Sequence, residues 1–384
     1  MRTFDQRLIP CASVRPLQNN SFARGNAQQN IKVHYLIHVA NRLKAFAKIR
    51  PAPGIEQIEA ERPRIGQHEV LVKVKVTSVC GTDHHIYEWD DWAQARIKPP
   101  RIIGHEFAGE VVEIAPDVTA CTVGETVVAE SHIGCGKCYQ CRTGNSHICE
   151  RVAILGVDVD GSFAEYVKIP ENNAWPVPSE VPLDTASILE PLGNAVHAAF
   201  AADIAGNDVT IFGCGPVGLS AVALTSIFGA LSVTAVDIND YRLKLAATMG
   251  ASKTINSKNG DPVAEVHKDT GGRGAGVVLE MSGNERAIKD AFRTVRNGGT
   301  IILFGLPSKE VQLNIADDFI FKEAHVRGIV GREMFNTWYK LEAILKSGKL
   351  NLKPLITHRM ALNQLDEAMK LVGSGNCGKI VLRP

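Results

Sequence analysis

The sequence predicts an α/β protein in two parts, a compact β-rich part and a doubly wound parallel sheet. Short β-rich runs crowd residues 69–169, and short apolar strands alternate with helical stretches over residues 209–304. A Gly-x-Gly-x-x-Gly run stands at the first strand-to-helix turn of that second region. Closely spaced strands punctuated by Gly, Pro and Asp indicate a small barrel or sandwich. Alternating strands and helices indicate a parallel sheet covered on both faces.

Residues 69–76 (EVLVKVKV) alternate as a half-buried strand does, with Val70, Val72, Val74 and Val76 on one face. Further strands are predicted at 109–114, 125–130 and 164–169. The texture changes near Thr185, and apolar strands follow at 209–212, 232–236, 277–280 and 300–304. One helix is expected to begin at Asn239 or Asp240, both good N-cap types, and to stop before Gly250. From Gly331 the tail reads as a helix over 335–347 and a last strand over 379–382.

The 384 residues have room for two domains, each burying a core of its own. A net charge of +1 gives no sign of a basic face, so neither nucleic acid nor an acidic membrane is an expected partner. No apolar run approaches the roughly 20 residues needed to span a bilayer. Of nine cysteines, Cys135, Cys138, Cys141 and Cys149 cluster, while Cys11, Cys80, Cys121, Cys214 and Cys377 are scattered. That pattern reads as a metal cluster plus single thiols in a reducing compartment, so a cytoplasmic location is expected.

Residues 1–42 differ from the rest, with Arg2, Arg7, Arg15, Arg24, Lys32 and Arg42 against one acid, Asp5. Mitochondrial transit peptides have this composition. Structured-looking sequence opens abruptly at Leu43, which favours a disordered tail or upstream sequence read from a start set too early. In the latter case Leu43 stands where an initiator methionine would.

The run Val209-Thr210-Ile211-Phe212 leads into Gly213-Cys214-Gly215-Pro216-Val217-Gly218 and an apolar helix. Gly213 permits the tight turn, Gly215 lets the backbone approach a pyrophosphate, and Gly218 lets the helix pack on the strand. Asp237 follows Gly218 by 19 residues at the end of the next strand. An acid there accepts hydrogen bonds from a ribose 2′-OH and repels a 2′-phosphate, which favours NAD over NADP. The competing reading is a structural turn and an exposed acid.

Cys135-x2-Cys138-x2-Cys141-x7-Cys149 offers four thiolates within 15 residues, enough for a closed tetrahedral zinc site. An iron–sulfur cluster is the nearest competitor, disfavoured by the x7 gap and the missing Cys-Pro step. A closed site leaves no open coordination position, so its expected role is to fold a loop. A catalytic zinc needs about three protein ligands and one open position. Cys80, His105 and Glu106 could supply them, although no local spacing brings them together. A core cysteine and a structural histidine are the alternative. Glu190, in Glu-Pro-Leu-Gly-Asn, is a further oxygen donor or a helix-start acid.

The order Cys-Gly-Thr-Asp, Gly-His-Glu, four cysteines, Glu-Pro-Leu and Gly-x-Gly-x-x-Gly resembles the medium-chain zinc alcohol dehydrogenase family. Residues 78–92, 190–197 and 331–339 are similar to the signatures of those members that oxidise L-threonine. The resemblance spans Leu43 to Pro384. It implies a GroES-like β-barrel catalytic domain from 43–185 and 331–384, with a Rossmann NAD-binding domain at 186–330 between. It implies catalytic zinc on Cys80, His105 and Glu106, with Glu190 beside it, and structural zinc on the four clustered cysteines. Thr82 and His85 would relay the proton. Val217, Asp237 and Arg242 would hold NAD, with the backbone at Phe304, Gly305 and Leu306 and at Ile329 and Val330. The substrate would be L-threonine, and the assembly a homotetramer. A polyol or 2,3-butanediol dehydrogenase shares every metal and NAD feature. A zinc-ribbon binding protein with an inactive Rossmann part is the reading from another class.

Overall fold

The structure is a computed structural model that describes residues 42–384. The expectation for the extension up to residue 41 lies outside the described residues. Within Leu43–Pro384 the strand Glu69–Ser78 organises the first part. It pairs antiparallel with Glu106–Ile114, Tyr166–Pro170 and Lys379–Arg383. Thr126–Ala129 and Ala174–Pro176 extend that sheet on one side, and Ile356–Ala361 on the other. The last strand of the chain therefore closes the sheet begun by the first part. The alternation of valines holds, but Leu71 on the opposite face is buried too, so the strand is more covered than half-buried.

A register shift between Val74 and Val76 divides those valines between two cores. Val70, Val72 and Val74 pack with Phe107, Val111 and Val127, while Val76 joins the core of the helix Leu189–Phe200. Beyond the shift Ser78 stands opposite Glu106. This pairing brings Cys80, two residues past Ser78, to the same edge as His105.

The second part is a six-stranded parallel sheet in the order Lys253–Asn256, Ser232–Asp237, Asp208–Phe212, Ala275–Glu280, Val295–Leu303, His325–Gly328. Strand order reverses between Asp208–Phe212 and Ala275–Glu280, where ligands bind in sheets of this kind. The predicted helix runs Asp240–Thr248, and the Asn239 side chain caps it by accepting from the N–H groups of Tyr241 and Arg242. Val295–Leu303 begins earlier than predicted because Arg296 to Gly299, within it, are too polar to signal a strand. Among the described residues, no helix is long and apolar enough to cross a membrane.

Candidate active site

The helix Gly81–Glu88 starts where the strand Glu69–Ser78 ends. Asp83, fully buried in its first turn, accepts the N–H of Cys80 at 2.9 Å and so fixes the loop carrying the sulfur. Its other oxygen lies 3.6 Å from Nδ1 of His105. One donor atom each of Cys80, His105 and Glu106 lie within 4.8 Å of one another. Three polar atoms there are buried without a hydrogen-bond partner, Asp83 Oδ1, His105 Nδ1 and Glu106 Oε1. The second oxygen of Glu106 is taken by Lys379 Nζ and Ser78 Oγ. Lys379 is itself buried, and its Nζ also donates to the Val79 carbonyl at 2.8 Å.

The electrostatics of this pocket favour a cation. Burial works against a charge on His105, but the Cys80 sulfur and the Asp83 carboxylate outweigh it and hold its pKa well above that of free imidazole. Burial pushes Asp83 up to about 6, against the pull of His105 and the Cys80 N–H. A sulfur, an imidazole and a carboxylate oxygen with one position left open suit a catalytic zinc. Asp83 and Lys379 then orient the ligands from behind, as outer partners of metal sites do.

Glu190 sits in the first turn of the helix Leu189–Phe200, so the helix-start reading is right about its place. It is buried, accepts from Ser131 Oγ at 2.7 Å and pairs with Arg332 at 2.7 Å. It is not one of the three clustered donors, but its charge reaches His105 and Lys379. Arg332 also donates to Asn194 Oδ1 at 2.8 Å. A Cβ on Gly193 would lie 2.6 Å from Arg332 Cδ, so Glu190, Gly193 and Asn194 form one cradle for a guanidinium. Thr82 and His85, three apart on the Gly81–Glu88 helix, share one of its faces.

The four clustered cysteines also bring their sulfurs within 4.8 Å of one another, with Cys138 and Cys149 3.7 Å apart and unbonded. The Arg151 side chain holds Cys135 down to about 5. The Cys135 N–H favours the Cys149 thiolate, but burial and the neighbouring thiols prevail and push it up to about 11. A divalent ion relieves that crowding of charge.

In the parallel sheet, Gly213 has φ +93° and turns the chain at the end of Asp208–Phe212. A Cβ on Gly218 would meet the Gly213 carbonyl at 1.9 Å, whereas one on Gly215 would meet nothing within 4 Å. Space is thus left at Gly215 for a pyrophosphate. Asp237 accepts the N–H of Cys214 at 2.6 Å and that of Asn239 at 2.9 Å. Val217 is the second residue of the helix Pro216–Ile227, and Arg242 Nε donates to the Gly375 carbonyl at 3.1 Å. Phe304, Gly305 and Leu306 follow the strand Val295–Leu303, and Ile329 and Val330 follow His325–Gly328. All these positions border the carboxyl edge of the sheet, as a bound dinucleotide requires.

Residues 66–179 match the family described as alcohol dehydrogenase GroES-like domain, and residues 216–347 the one described as zinc-binding dehydrogenase. An L-threonine 3-dehydrogenase of Caldanaerobacter subterraneus subsp. tengcongensis is 49% identical over 89% of this chain and 99% of its own. The chain belongs to the zinc-containing alcohol dehydrogenase family. A second L-threonine 3-dehydrogenase, from Symbiobacterium thermophilum, is also 49% identical, over 90% of this chain and 99% of its own. Among solved structures, an alcohol dehydrogenase from E. coli CFT073 complexed with NADH has a TM-score of 0.81 and 28% identity, covering 90% of this chain and 100% of that one. A 2R,3R-butanediol dehydrogenase from Bacillus subtilis has a TM-score of 0.80 and 27% identity, covering 89% of this chain and 99% of that one. The zinc-containing alcohol dehydrogenases supply the rest of the fold class: a GroES-like barrel with a Rossmann sheet, using zinc and NAD. The orphaned atoms at His105 and Glu106, the four sulfurs and the open space at Gly215 fit those groups.

Five residues of this family member that support the site escaped the sequence reading. Asp83 had a local signal, standing three residues after Cys80 where a capping acid closes back on the turn. Ser78 and Arg332 lie in stretches that carry the resemblance but, like Glu130 and Lys379, show no local sign of their role, because their partners are remote in the chain.

Proposed function

We propose that this chain oxidises the 3-hydroxyl of L-threonine with NAD, giving 2-amino-3-oxobutanoate, NADH and a proton. What carries the reading is the meeting of Cys80, His105 and Glu106 in one buried pocket, in a chain whose relatives of that name match almost end to end. Bound there, zinc supplies Lewis-acid polarisation of an alcohol, and NAD supplies the hydride acceptor. Cys80, His105 and Glu106 hold the metal, with Glu190 beside it keeping the pocket's charge balance through Arg332. Thr82 Oγ1 takes the proton of the substrate hydroxyl as it releases its own towards His85, which passes it to solvent. Gly215 and the start of the helix at Val217 would face the pyrophosphate, with Gly213 making the turn and Gly218 the close helix packing that shape the loop. Asp237 and Arg242 would hold the adenosine ribose, and the loops after Leu303 and Gly328 would take the nicotinamide end.

Residues 43–185 and 331–384 form the catalytic domain and 186–330 the cofactor domain in this reading, as their sheet membership supports. The family analogy extends to a homotetramer in the cytoplasm. Oxidation of 2,3-butanediol is the second reading, favoured by the likeness to the butanediol dehydrogenase structure. NADH formation with L-threonine, D-threonine, L-serine, sorbitol and 2,3-butanediol separates the two. Preference for a neutral diol over L-threonine overturns the first.

A further inference from the structure

The helix Gly81–Glu88 ends at Trp89, whose φ of +57° turns the chain back on itself. The next residue, Asp90, is thereby returned to the side of the helix it has just left. Its Oδ2 lies 2.5 Å from Nδ1 of His85, and its Oδ1 accepts the Ala93 N–H at 3.0 Å. One carboxylate thus caps the helix Asp91–Arg96 and faces the imidazole. Burial works against its charge, but the Ala93 N–H and His85 outweigh it and hold Asp90 below the ordinary carboxylate range. The Trp92 ring lies 6.2 Å from that of His85, tilted by 60°.

We propose that Asp90 is the positioning residue of the proton relay, holding the His85 ring in the orientation and tautomer that receives the substrate's proton. The inference rests on the relay reading of Thr82 and His85. A carboxylate can only accept, so Nδ1 of His85 must carry the hydrogen that faces Asp90, and Nε2 is left bare to take a proton. When Nε2 is protonated the ring becomes a cation, and the carboxylate on its far side stabilises it. His85 is 58% exposed, with the Trp92 ring tilted beside it, so the Asp90 contact is the polar one that sets its orientation. An exposed pair of this kind adds little to folding stability. Its effect therefore falls on turnover.

Two variants separate the cap from the relay. Asp90→Ser keeps an N-cap oxygen but is too short to reach His85. Asp90→Asn keeps the shape but replaces the charge, and its amide can present a donor to Nδ1. With L-threonine and saturating NAD, both lower kcat by about 10-fold, part of what a relay base contributes. Both also enlarge the solvent deuterium isotope effect on kcat, while the melting temperature and the NADH dissociation constant stay at wild-type values. His85→Asn is slower still, and adding Asp90→Asn to it costs nothing further, because the two residues act as one unit. Wild-type turnover in both Asp90 variants beside a slow His85→Asn overturns the role of Asp90 and leaves the relay standing. Wild-type turnover in His85→Asn overturns the relay, and the proposal with it.

Discussion

Arg332 grips Glu130 through two nitrogens, at 2.8 and 2.5 Å, although 202 residues separate them in the chain. The same guanidinium reaches Ser131 at 2.9 Å and Glu190 at 2.7 Å, and Trp338 Nε1 donates to Glu130 at 2.7 Å. Each buried charge in the group is paired, so the network holds the entry to the C-terminal tail against the metal pocket. Removing one partner strands the others. Arg332→Ala leaves two buried carboxylates uncompensated and is expected to lower the unfolding free energy by about 3–5 kcal/mol. Urea denaturation measures it.

The network also sets an acid limit. Burial alone would raise the pKa of Glu130, but Arg332 prevails and holds it below the ordinary carboxylate value. A depressed folded-state pKa gives stability that is present above the unfolded value of about 4.3 and lost as pH falls through the lower folded value. Glu130→Gln removes that contribution. Its stability is expected to be lower at neutral pH and to decline less steeply below about pH 4 than that of the wild type. Denaturation midpoints across pH 3–7 test it, and parallel curves refute the pairing.

Gly193 is confined by the same side chain. A Cβ there would lie 2.6 Å from Arg332 Cδ and 2.9 Å from its Cγ. A flexible side chain could usually move aside, but this one is pinned at its far end by Glu130, Asn194 and Glu190. Gly193→Ala is expected to cost about 1–3 kcal/mol of stability. Because it displaces Arg332 from Glu190, it also lowers kcat for L-threonine. A variant with wild-type stability and turnover shows that the cradle is slack.

What was legible in the sequence was local. The glycine turn and the four cysteines are each contained in a short stretch, and spacing alone gave their chemistry. Cys80 and the pair His105–Glu106 were legible as possible ligands from their chemistry but as one site mainly by resemblance, because what joins them is the register that sets Ser78 opposite Glu106. Nothing in either strand's own pattern specifies that pairing. No local pattern marks Arg332 and Lys379 as buried, since such residues are rarely fully buried unless paired. Their partners lie 202 and 273 residues away.

The four-cysteine lobe separates folding from chemistry. Its sulfurs are within 4.8 Å of one another, and Cys141 is not among the donors around His105. Cys141→Ser is expected to reduce bound zinc from about two to about one per chain and to lower the melting temperature. The remaining zinc still supports turnover in the fraction that stays folded. Elemental analysis together with kcat per bound zinc checks it, and a loss of both metals would show the sites to be coupled.

On the proposed reading, Asp237 selects the dinucleotide. Its two oxygens are steadied by the N–H groups of Cys214 and Asn239, so the carboxylate is fixed at the end of the strand Ser232–Asp237 beside the glycine turn. A carboxylate so held can accept from a ribose 2′-OH without reorganising, and it repels a 2′-phosphate at the same place. Asp237→Ser removes the charge but keeps a small hydroxyl. The expected outcome is a fall of about 10-fold or more in kcat/KM for NAD and a rise for NADP, with the effect on NADP smaller at high salt because the lost repulsion is screened there. Initial rates with each cofactor, at low and high ionic strength, give the four numbers needed. An unchanged ratio of NAD to NADP would mean that the carboxylate serves only to brace the Cys214 turn.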